Sequence, residues 1–285
     1  MNLRKSPSVA PFHLRFWGVR GSIPTPYPDH LGFGGNTSCM QVVSEVSGSD
    51  QSEDILIFDA GTGIRALGRE IAARPKSPGT IHIFLTHFHW DHLQGLPYFL
   101  PLFSPASNLV FHSAHPPEKL RAVLAAQMQA PYFPFLFDQL TSHIEFRAIG
   151  AAPQRFGSVT VEAFPLHHPQ GSVGFRIAEP QKSAVFAPDH EHGDPASHLG
   201  LIAMSQGADV LVYDAQYTPA EYESRCGWGH STWLEAARVA EQAGVKQLVL
   251  FHHDPDRNDQ DVRRIEGEAR EKLPSTFAAF EGLLL

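Results

Sequence analysis

The chain has 285 residues, of which 42% are hydrophobic and 18% charged, and its formal net charge at pH 7 is −8. This composition is enough for a large core, and it argues against a broad basic surface for nucleic acid and against a polybasic membrane anchor. No apolar run approaches the roughly 20 residues that a membrane span requires, and Cys39 and Cys226 are too few to cross-link a domain of this size. We expect a cytoplasmic protein with a flexible tail over residues 1–12 and a single domain over residues 13–285.

Alternating hydrophobic residues predict the first strands over His13–Val19, Cys39–Val46, Asp54–Asp59 and Thr80–Leu85. The loop between the first two is rich in proline and glycine, and it either forms a structural turn or lines a pocket. After the third strand, Gly61 and Gly63 permit a tight turn into a helix that begins at Ile64. Asp59 is placed either to cap that turn or to support a metal ligand from behind.

The fourth strand leads directly into the stretch Thr86–His92, which contains three histidines and an aspartate: His87, His89, Asp91 and His92. Side chains this close together at the end of a rigid strand can converge on one small volume. Imidazole nitrogens and carboxylate oxygens are ligands that zinc prefers. A polar loop that is merely rich in histidine is the alternative, but the spacing favours a metal site.

The stretch from Tyr98 to Phe137 is rich in phenylalanine and proline and contains one predicted helix, Pro117–Gln129. Its aromatic residues either line the substrate site or cover an edge of the sheet. Later strands are predicted over Ile144–Ala148, Val159–Phe164, Ser172–Ile177, Ala184–Ala187, Asp209–Tyr213 and Gln247–Phe251, and before a final apolar strand helices are predicted over Ser231–Ala243 and Asp259–Lys272. Ser231 is the expected N-cap of its helix and Gly244 its end. This alternation is typical of an α/β layered fold with its site along one sheet edge.

Histidine or aspartate follows the strands at five places: 87–92, 167–168, Asp189, Asp214 and 252–253. Each of these alone is compatible with a capped turn or a structural histidine. Their recurrence at strand ends indicates one shared site.

In its motif and in the order of these later residues, the chain resembles the metallo-β-lactamase-fold hydrolases. The resemblance implies an α/β (α+β) fold, a four-layer αββα sandwich, that binds two divalent metal ions, zinc first, with manganese and iron as alternatives. It implies that one ion is held by His87, His89 and His168, the second by Asp91, His92 and His252, and that Asp189 bridges them. His168 is preferred to His167 because the family pattern that the chain resembles has the ligand directly before a proline, here Pro169. His252 is preferred to His253 because it directly follows a strand.

The segment Asp209–Tyr217, followed by Gly227–Thr232, resembles the acid-plus-histidine pair of the phosphodiesterase branch of this family. That branch includes tRNA 3′-processing endonucleases and cyclic-nucleotide phosphodiesterases. The resemblance implies that His230, held by Asp214, donates a proton to the leaving group. The alternative for His230 is a residue that merely precedes a helix.

The function expected from these residues is that of a dinuclear metal-dependent phosphodiesterase, which acts on a small nucleotide or related diester through a metal-bridging hydroxide. A same-fold hydrolase of a thioester, lactone or β-lactam is one alternative, and a non-catalytic nucleotide-binding module is another. The acidic charge and the lack of a long basic arm predict a small-molecule substrate and no extended nucleic-acid binding. No membrane partner is expected, and a homodimer is compatible with the sequence.

Overall fold

The computed structural model describes residues 12–43, 54–76 and 78–285, so the predicted tail over residues 1–11 lies outside the described residues. Phe12, which the sequence assigned to that tail, differs from the prediction because its side chain is fully buried. Its ring joins the main apolar cluster, and its backbone N–H donates to Glu179 Oε2 at 3.2 Å. The domain core therefore includes Phe12.

Within the described residues, six strands form the first sheet, in chain order across it. They are β1 (His13–Gly18), β2 (Cys39–Val43), β3 (Ile55–Phe58), β4 (Thr80–Phe84), β5 (Asn108–Ser113) and β6 (His143–Ala148). β1 to β3 pair antiparallel, and β3 to β6 pair parallel. The predicted strands are confirmed to within a few residues, although residues 44–46 lie outside the described part, and β5 was not predicted.

In the same part of the chain, seven strands form the second sheet, in the order β13-β12-β11-β10-β9-β8-β7. They are β7 (Gln154–Phe156), β8 (Val159–Leu166), β9 (Ser172–Glu179), β10 (Lys182–Ala187), β11 (Val210–Asp214), β12 (Gln247–Phe251) and β13 (Thr276–Ala278). β10 to β13 are parallel. β9 is antiparallel to both β8 and β10, so β8, β10, β11 and β12 all end at one edge of the sheet.

The two sheets face each other through a core of phenylalanine rings. Phe58 and Phe84 of the first sheet stack at 4.8 Å between centroids, and Phe58 contacts Phe175 of the second sheet at 5.4 Å. Phe186 and Phe251 continue this layer at 5.5 Å. All these rings are buried, and each contributes roughly 2–3 kcal/mol by the area that it removes from water.

Helices cover the outer face of each sheet. The helices of the described residues are α1 (Ile64–Ala72), α2 (Pro117–Gln127), α3 (Pro195–Ser205), α4 (Pro219–Tyr222), α5 (Trp233–Ala243) and α6 (Asp259–Lys272). α1 and α2 share an apolar cluster with the first sheet, whereas α3, α5 and α6 share one with the second. The predicted αββα sandwich is therefore confirmed. No helix in the described ranges has the length and apolar character needed to cross a bilayer.

The start of α5 differs from the prediction by one residue. Thr232, and not Ser231, is the N-cap, because its side chain accepts the Glu235 N–H at 3.2 Å. The Ser231 hydroxyl instead contacts His192 Nδ1 at 2.9 Å. The end of the helix is as predicted, because Gly244 adopts the left-handed conformation at φ 64°.

Candidate metal centre

Three histidines from two sheets form the first group of potential ligands. His87 and His89 follow β4, and His168 follows β8. Their ligand atoms all lie within 4.8 Å of one another, and His168 Nε2 is 3.1 Å from His89 Nδ1. His168 Nδ1 donates to the Gly229 carbonyl at 2.7 Å, which fixes the tautomer that leaves Nε2 free for a cation.

Asp91, His92, Asp189 and His252 form the second group, again with all ligand atoms within 4.8 Å. Asp91 and His92 lie on a short 3₁₀ helix after β4, while Asp189 follows β10 and His252 follows β12. His252 Nε2 is 3.1 Å from Asp91 Oδ2. The parallel strands β10 and β12 thus deliver an acid and a histidine to the same point.

Asp189 lies between the two groups, with a different carboxylate oxygen directed at each. Its Oδ1 is 3.0 Å from His92 Nε2 and 3.3 Å from His252 Nε2. Its Oδ2 is 3.7 Å from His87 Nε2 and 3.6 Å from His168 Nε2. A carboxylate placed in this way can contact two cations at once.

Several buried polar atoms at this point have no hydrogen-bond partner. They include Nε2 of His87, Nε2 of His92 and Oδ1 of Asp189, the last two of which face each other at 3.0 Å without hydrogen-bond geometry. An unsatisfied buried polar group costs about 1–3 kcal/mol. Two divalent cations would satisfy these atoms, and imidazole and carboxylate are suitable donors for zinc, manganese or iron. The residues present therefore fit the metal ions that the fold implies.

Contacts behind the ligands hold their rings in place. Asp59 Oδ2 accepts from His92 Nδ1 at 2.7 Å, and Asp59 Oδ1 accepts the Thr86 backbone N–H at 2.9 Å. Gln216 Oε1 accepts from His252 Nδ1 at 2.9 Å. Each ring thus uses Nδ1 as a donor and directs Nε2 into the site. The sequence left two roles open for Asp59, a cap of the turn before α1 or support of a metal ligand from behind. The structure shows the contact with a candidate ligand, His92.

Two of these residues have a strained backbone. Asp59 has φ 63° and His252 has φ 60°, a left-handed backbone conformation that residues other than glycine rarely adopt. Such strain costs on the order of 1–3 kcal/mol and persists where the surrounding structure imposes it. Both residues sit where a strand must turn sharply to direct its last side chain into the site.

The charges of the site favour cations. Burial alone would raise the pKa of Asp189, but His252, His92 and His87 lower it well below its usual range. Burial lowers the pKa of His87, which keeps its imidazole neutral and able to bind a metal. Burial would also lower the pKa of His92, but Asp189 and Asp91 raise it well above the ordinary value. The carboxylates therefore create a negative field at the ligand atoms.

His230 and Asp214 lie beside the two groups of potential ligands as a hydrogen-bonded pair. His230 Nδ1 donates to Asp214 Oδ2 at 2.8 Å and lies 4.0 Å from Asp189 Oδ2. Its ring stacks on that of His252 at 4.9 Å. Burial would lower the pKa of His230, but Asp214 raises it to about 9. The structure thus brings together the two residues that the sequence paired.

The structure places the members of the two adjacent histidine pairs differently. His168 and His252 lie in the groups of potential ligands. His167 Nδ1 donates instead to the Glu191 carbonyl at 3.2 Å, and His253 Nε2 donates to the Ala279 carbonyl at 2.9 Å. Both of these neighbours therefore have backbone partners away from the cluster.

Glu191 is a residue of the site that the sequence did not single out. Its Oε1 accepts the Gly227 N–H at 2.5 Å and the Tyr222 hydroxyl at 2.9 Å, and its Oε2 accepts the Gly229 N–H at 2.7 Å. Gly229 in turn accepts from His168 Nδ1. A Cβ on Gly229 would lie 2.4 Å from that nitrogen, so the loop packs tightly on His168.

This contact fixes both His168 and the loop that ends at His230. Glu191 is a buried carboxylate, 4% exposed, held by donors of one loop. The available signal in the sequence was an acid two residues after Asp189, together with the Gly-Trp-Gly segment before His230. Neither feature alone predicts the contact.

Comparison with known proteins gives three findings. Residues 55–253 match the family model of the beta-lactamase superfamily domain. The chain is 26% identical to ribonuclease BN from Erwinia tasmaniensis, over 79% of this chain and 87% of that protein, and 25% identical to ribonuclease Z from Gemmatimonas aurantiaca, over 95% of each. The metallo-beta-lactamase fold protein YhfI from Bacillus subtilis superposes with a TM-score of 0.70 at 18% identity, over 96% of this chain and 98% of that one.

These relatives overturn one expectation. The acidic net charge and the missing basic arm predicted a small-molecule partner and no extended nucleic-acid binding, and that prediction is wrong because the relatives are named ribonucleases. The physical reason is that net charge sums over the whole surface. A phosphodiester interacts mainly with the electrostatic field of its binding site, to which divalent cations contribute most when they are bound there.

The family match covers more than half of the chain, and it agrees with the αββα layers and with the clustered histidines and aspartates. The fold implies divalent metal ions at that cluster. The chain therefore belongs to the β-lactamase superfamily and is a hydrolase of the metallo-β-lactamase fold.

Proposed function

We propose that this hydrolase is a dinuclear phosphodiesterase that cleaves phosphodiester bonds of RNA. The observation that carries the proposal is the His230–Asp214 pair, 2.8 Å apart, placed beside a carboxylate that faces two ligand groups. A proton donor next to two cations is what phosphodiester cleavage with an alkoxide leaving group requires.

The geometry of the two groups supports the ligand sets that we propose. His87, His89 and His168 would hold one ion, and Asp91, His92 and His252 the other, with Asp189 shared between them. Zinc is the metal that we propose, with manganese and iron as alternatives. When bound, two such ions supply an activated water and charge stabilisation of the phosphoryl oxygens.

Proton transfer is the task of His230. Asp214 Oδ2 accepts from Nδ1, which leaves Nε2 as the atom that can carry a proton to the leaving oxygen. Asp214 is held in turn because its Oδ1 accepts the Gln216 backbone N–H at 3.0 Å. Asp214 therefore holds the imidazole of His230 in one orientation.

The choice of RNA is supported by the two ribonuclease relatives, which align with most of this chain. A thioester, lactone or β-lactam hydrolase of the same fold would not need the His230–Asp214 pair. A non-catalytic module would not need a complete ligand set.

A substrate screen with the metal-loaded protein tests the proposal. It should compare a precursor RNA with a 3′ extension, short RNA and DNA of one sequence, bis-p-nitrophenyl phosphate, a thioester, a lactone and nitrocefin. We expect cleavage of the RNA and of bis-p-nitrophenyl phosphate. Hydrolysis of nitrocefin, the lactone or the thioester without any phosphodiesterase activity would contradict the proposal.

A further inference from the structure

A cavity of about 220 Å³ lies beside His230. Its lining combines a cation, aromatic rings and carboxylates, contributed by Tyr217, Arg225, Trp228 and Asp254 among others. A larger cavity of about 490 Å³ is lined by His168, Tyr222 and other residues of the same region. His230 lines the smaller cavity, so this is the one next to the proton donor.

Arg225 has an unsatisfied donor at this cavity. Its guanidinium carbon lies 4.9 Å from the centroid of the Tyr217 ring, a cation–π contact that fixes its plane. Its Nη1 is buried without a hydrogen-bond partner. Because Arg225 lines the cavity, its guanidinium offers further donors to a ligand oxygen there.

Trp228 presents an aromatic face at the same place. It is 62% exposed, and it lies between Gly227 and Gly229, which have φ 87° and φ 91°. Glu191 binds both glycine N–H groups, so the loop is held while most of the Trp228 side chain remains exposed. Stacking of a nucleobase on an aromatic side chain stabilises binding by about 1–3 kcal/mol.

The carboxylates of the cavity decide what kind of group it accepts. Asp254 is 8% exposed, and its Oδ1 accepts the backbone N–H of Asp256 at 2.9 Å. Asp256 also lines the cavity. These two acids disfavour a second phosphate, because like charges repel. They favour the hydroxyl and amino groups of a nucleoside, which donate hydrogen bonds to carboxylates.

We infer that this cavity binds the nucleoside attached to the leaving oxygen, with its base on Trp228, its hydroxyl or amino groups toward Asp254 and an oxygen on Arg225. This inference rests on the proposed phosphodiesterase function. The leaving side is assigned because the cavity shares His230, the residue that donates a proton to the leaving oxygen.

The test compares two diesters, a diribonucleoside monophosphate and methyl p-nitrophenyl phosphate, the second of which has no nucleoside. Trp228→Ala and Arg225→Met should each lower kcat/KM on the first substrate by roughly 10- to 100-fold more than on the second. Trp228→Phe should restore most of the difference, because phenylalanine retains a stacking surface. Leu199→Ala is the matched control, since Leu199 is 66% exposed on α3 and should alter neither value.

A binding measurement separates the cavity from the chemistry. Adenosine should quench the tryptophan emission of the wild type, and Trp228→Phe should abolish that quenching. Equal losses of kcat/KM on both diesters, or emission that adenosine leaves unchanged, would overturn the nucleoside site even where the wild type hydrolyses both substrates. A wild type that hydrolyses neither diester would contradict the proposed function, and quenching would then still support the site.

Discussion

Buried histidine rings cluster at two places in this molecule, and the two places differ in the side chains that surround the rings. The first is the ligand cluster at the strand ends. The second is the pair His82 and His112, which lies within β4 and β5, with His82 Nδ1 3.0 Å from His112 Nε2. Phe84 stacks on His112 at 4.5 Å between centroids, and Phe156 contacts it at 5.3 Å. The pair is thus surrounded by aromatic rings.

The difference lies in the carboxylates and in the free nitrogens. In the ligand cluster, Asp189 and Asp91 are within 3.5 Å of histidine Nε2 atoms. The acid near the pair, Asp54, is 3.8 Å from His82 and half exposed. Among the described residues, the groups with metal-ligand spacing do not include His82 or His112. Burial of histidine is therefore insufficient for a metal site. A metal site also requires ionised acids close to the histidine nitrogens, and here the strand ends provide them.

The largest expected effect is on catalysis, through Asp189. Asp189→Asn removes the charge that faces both ligand groups, so hydrolysis of a diester should fall by roughly 10³-fold or more, the scale of several kcal/mol of transition-state stabilisation. Steady-state kinetics measure this. His112→Phe is the control from the other cluster and should retain nearly full activity. Comparable losses of activity in both variants would contradict the proposal that the ligand cluster is catalytic and the His82–His112 pair is not.

His230 comes next, because its role depends on the leaving group. His230→Ala should lower kcat by roughly 10²–10⁴-fold on a diester with an alkoxide leaving group, and much less with p-nitrophenolate, which needs little protonation. Asp214→Asn should show the same pattern more mildly. Metal content should be unchanged in both variants. Equal losses on the two leaving groups would show that His230 is not the acid.

Glu191 should have an intermediate effect, through the loop that it holds. Glu191→Gln places an amide against the Gly227 and Gly229 N–H donors, and we expect roughly a 10- to 100-fold loss in metal affinity or activity. Metal titration and kcat measure the loss. Glu223→Gln, in an exposed position of the same segment, is the matched control. A lower Tm with unaltered metal affinity and kcat would assign Glu191 a purely structural role.

The sequence located most of the cluster because the relevant information is local. His87 to His92 lie within six consecutive residues after β4, and Asp189 and His252 come within two residues of the ends of the apolar strands β10 and β12. Glu191 escaped prediction because its partners are 36 and 38 residues away and depend on glycine conformations. β5 escaped because its apolar core, Leu109–Phe111, is short and lies in a stretch rich in proline.

The smallest expected effect is on the pH dependence of the free energy of unfolding, through His112. Burial, followed by the nearby His82, lowers the pKa of His112 to about 3, whereas an unfolded chain has about 6.5. Below pH 6.5 the unfolded state binds a proton that the folded state does not, so stability falls as pH drops toward 3. Between pH 7 and 4.5, the wild type should lose roughly 2–3 kcal/mol more than His112→Phe.

Denaturant unfolding at a series of pH values measures this difference. His190 and His253 also have pKa values that burial lowers to about 3, and they remain in both proteins. Their contributions therefore cancel in the comparison. Stability curves that stay parallel from pH 7 to 4.5 would contradict a neutral, buried His112.

The central claim is that the strand-end cluster, and not the pair inside the sheet, binds two metal ions. Elemental analysis of purified protein after loading with zinc and removal of excess metal tests it most directly. The wild type and His112→Phe should each carry close to two ions per chain, and Asp189→Asn should carry fewer. A wild type with one ion or none, or an Asp189→Asn variant with the full two, would contradict the assignment.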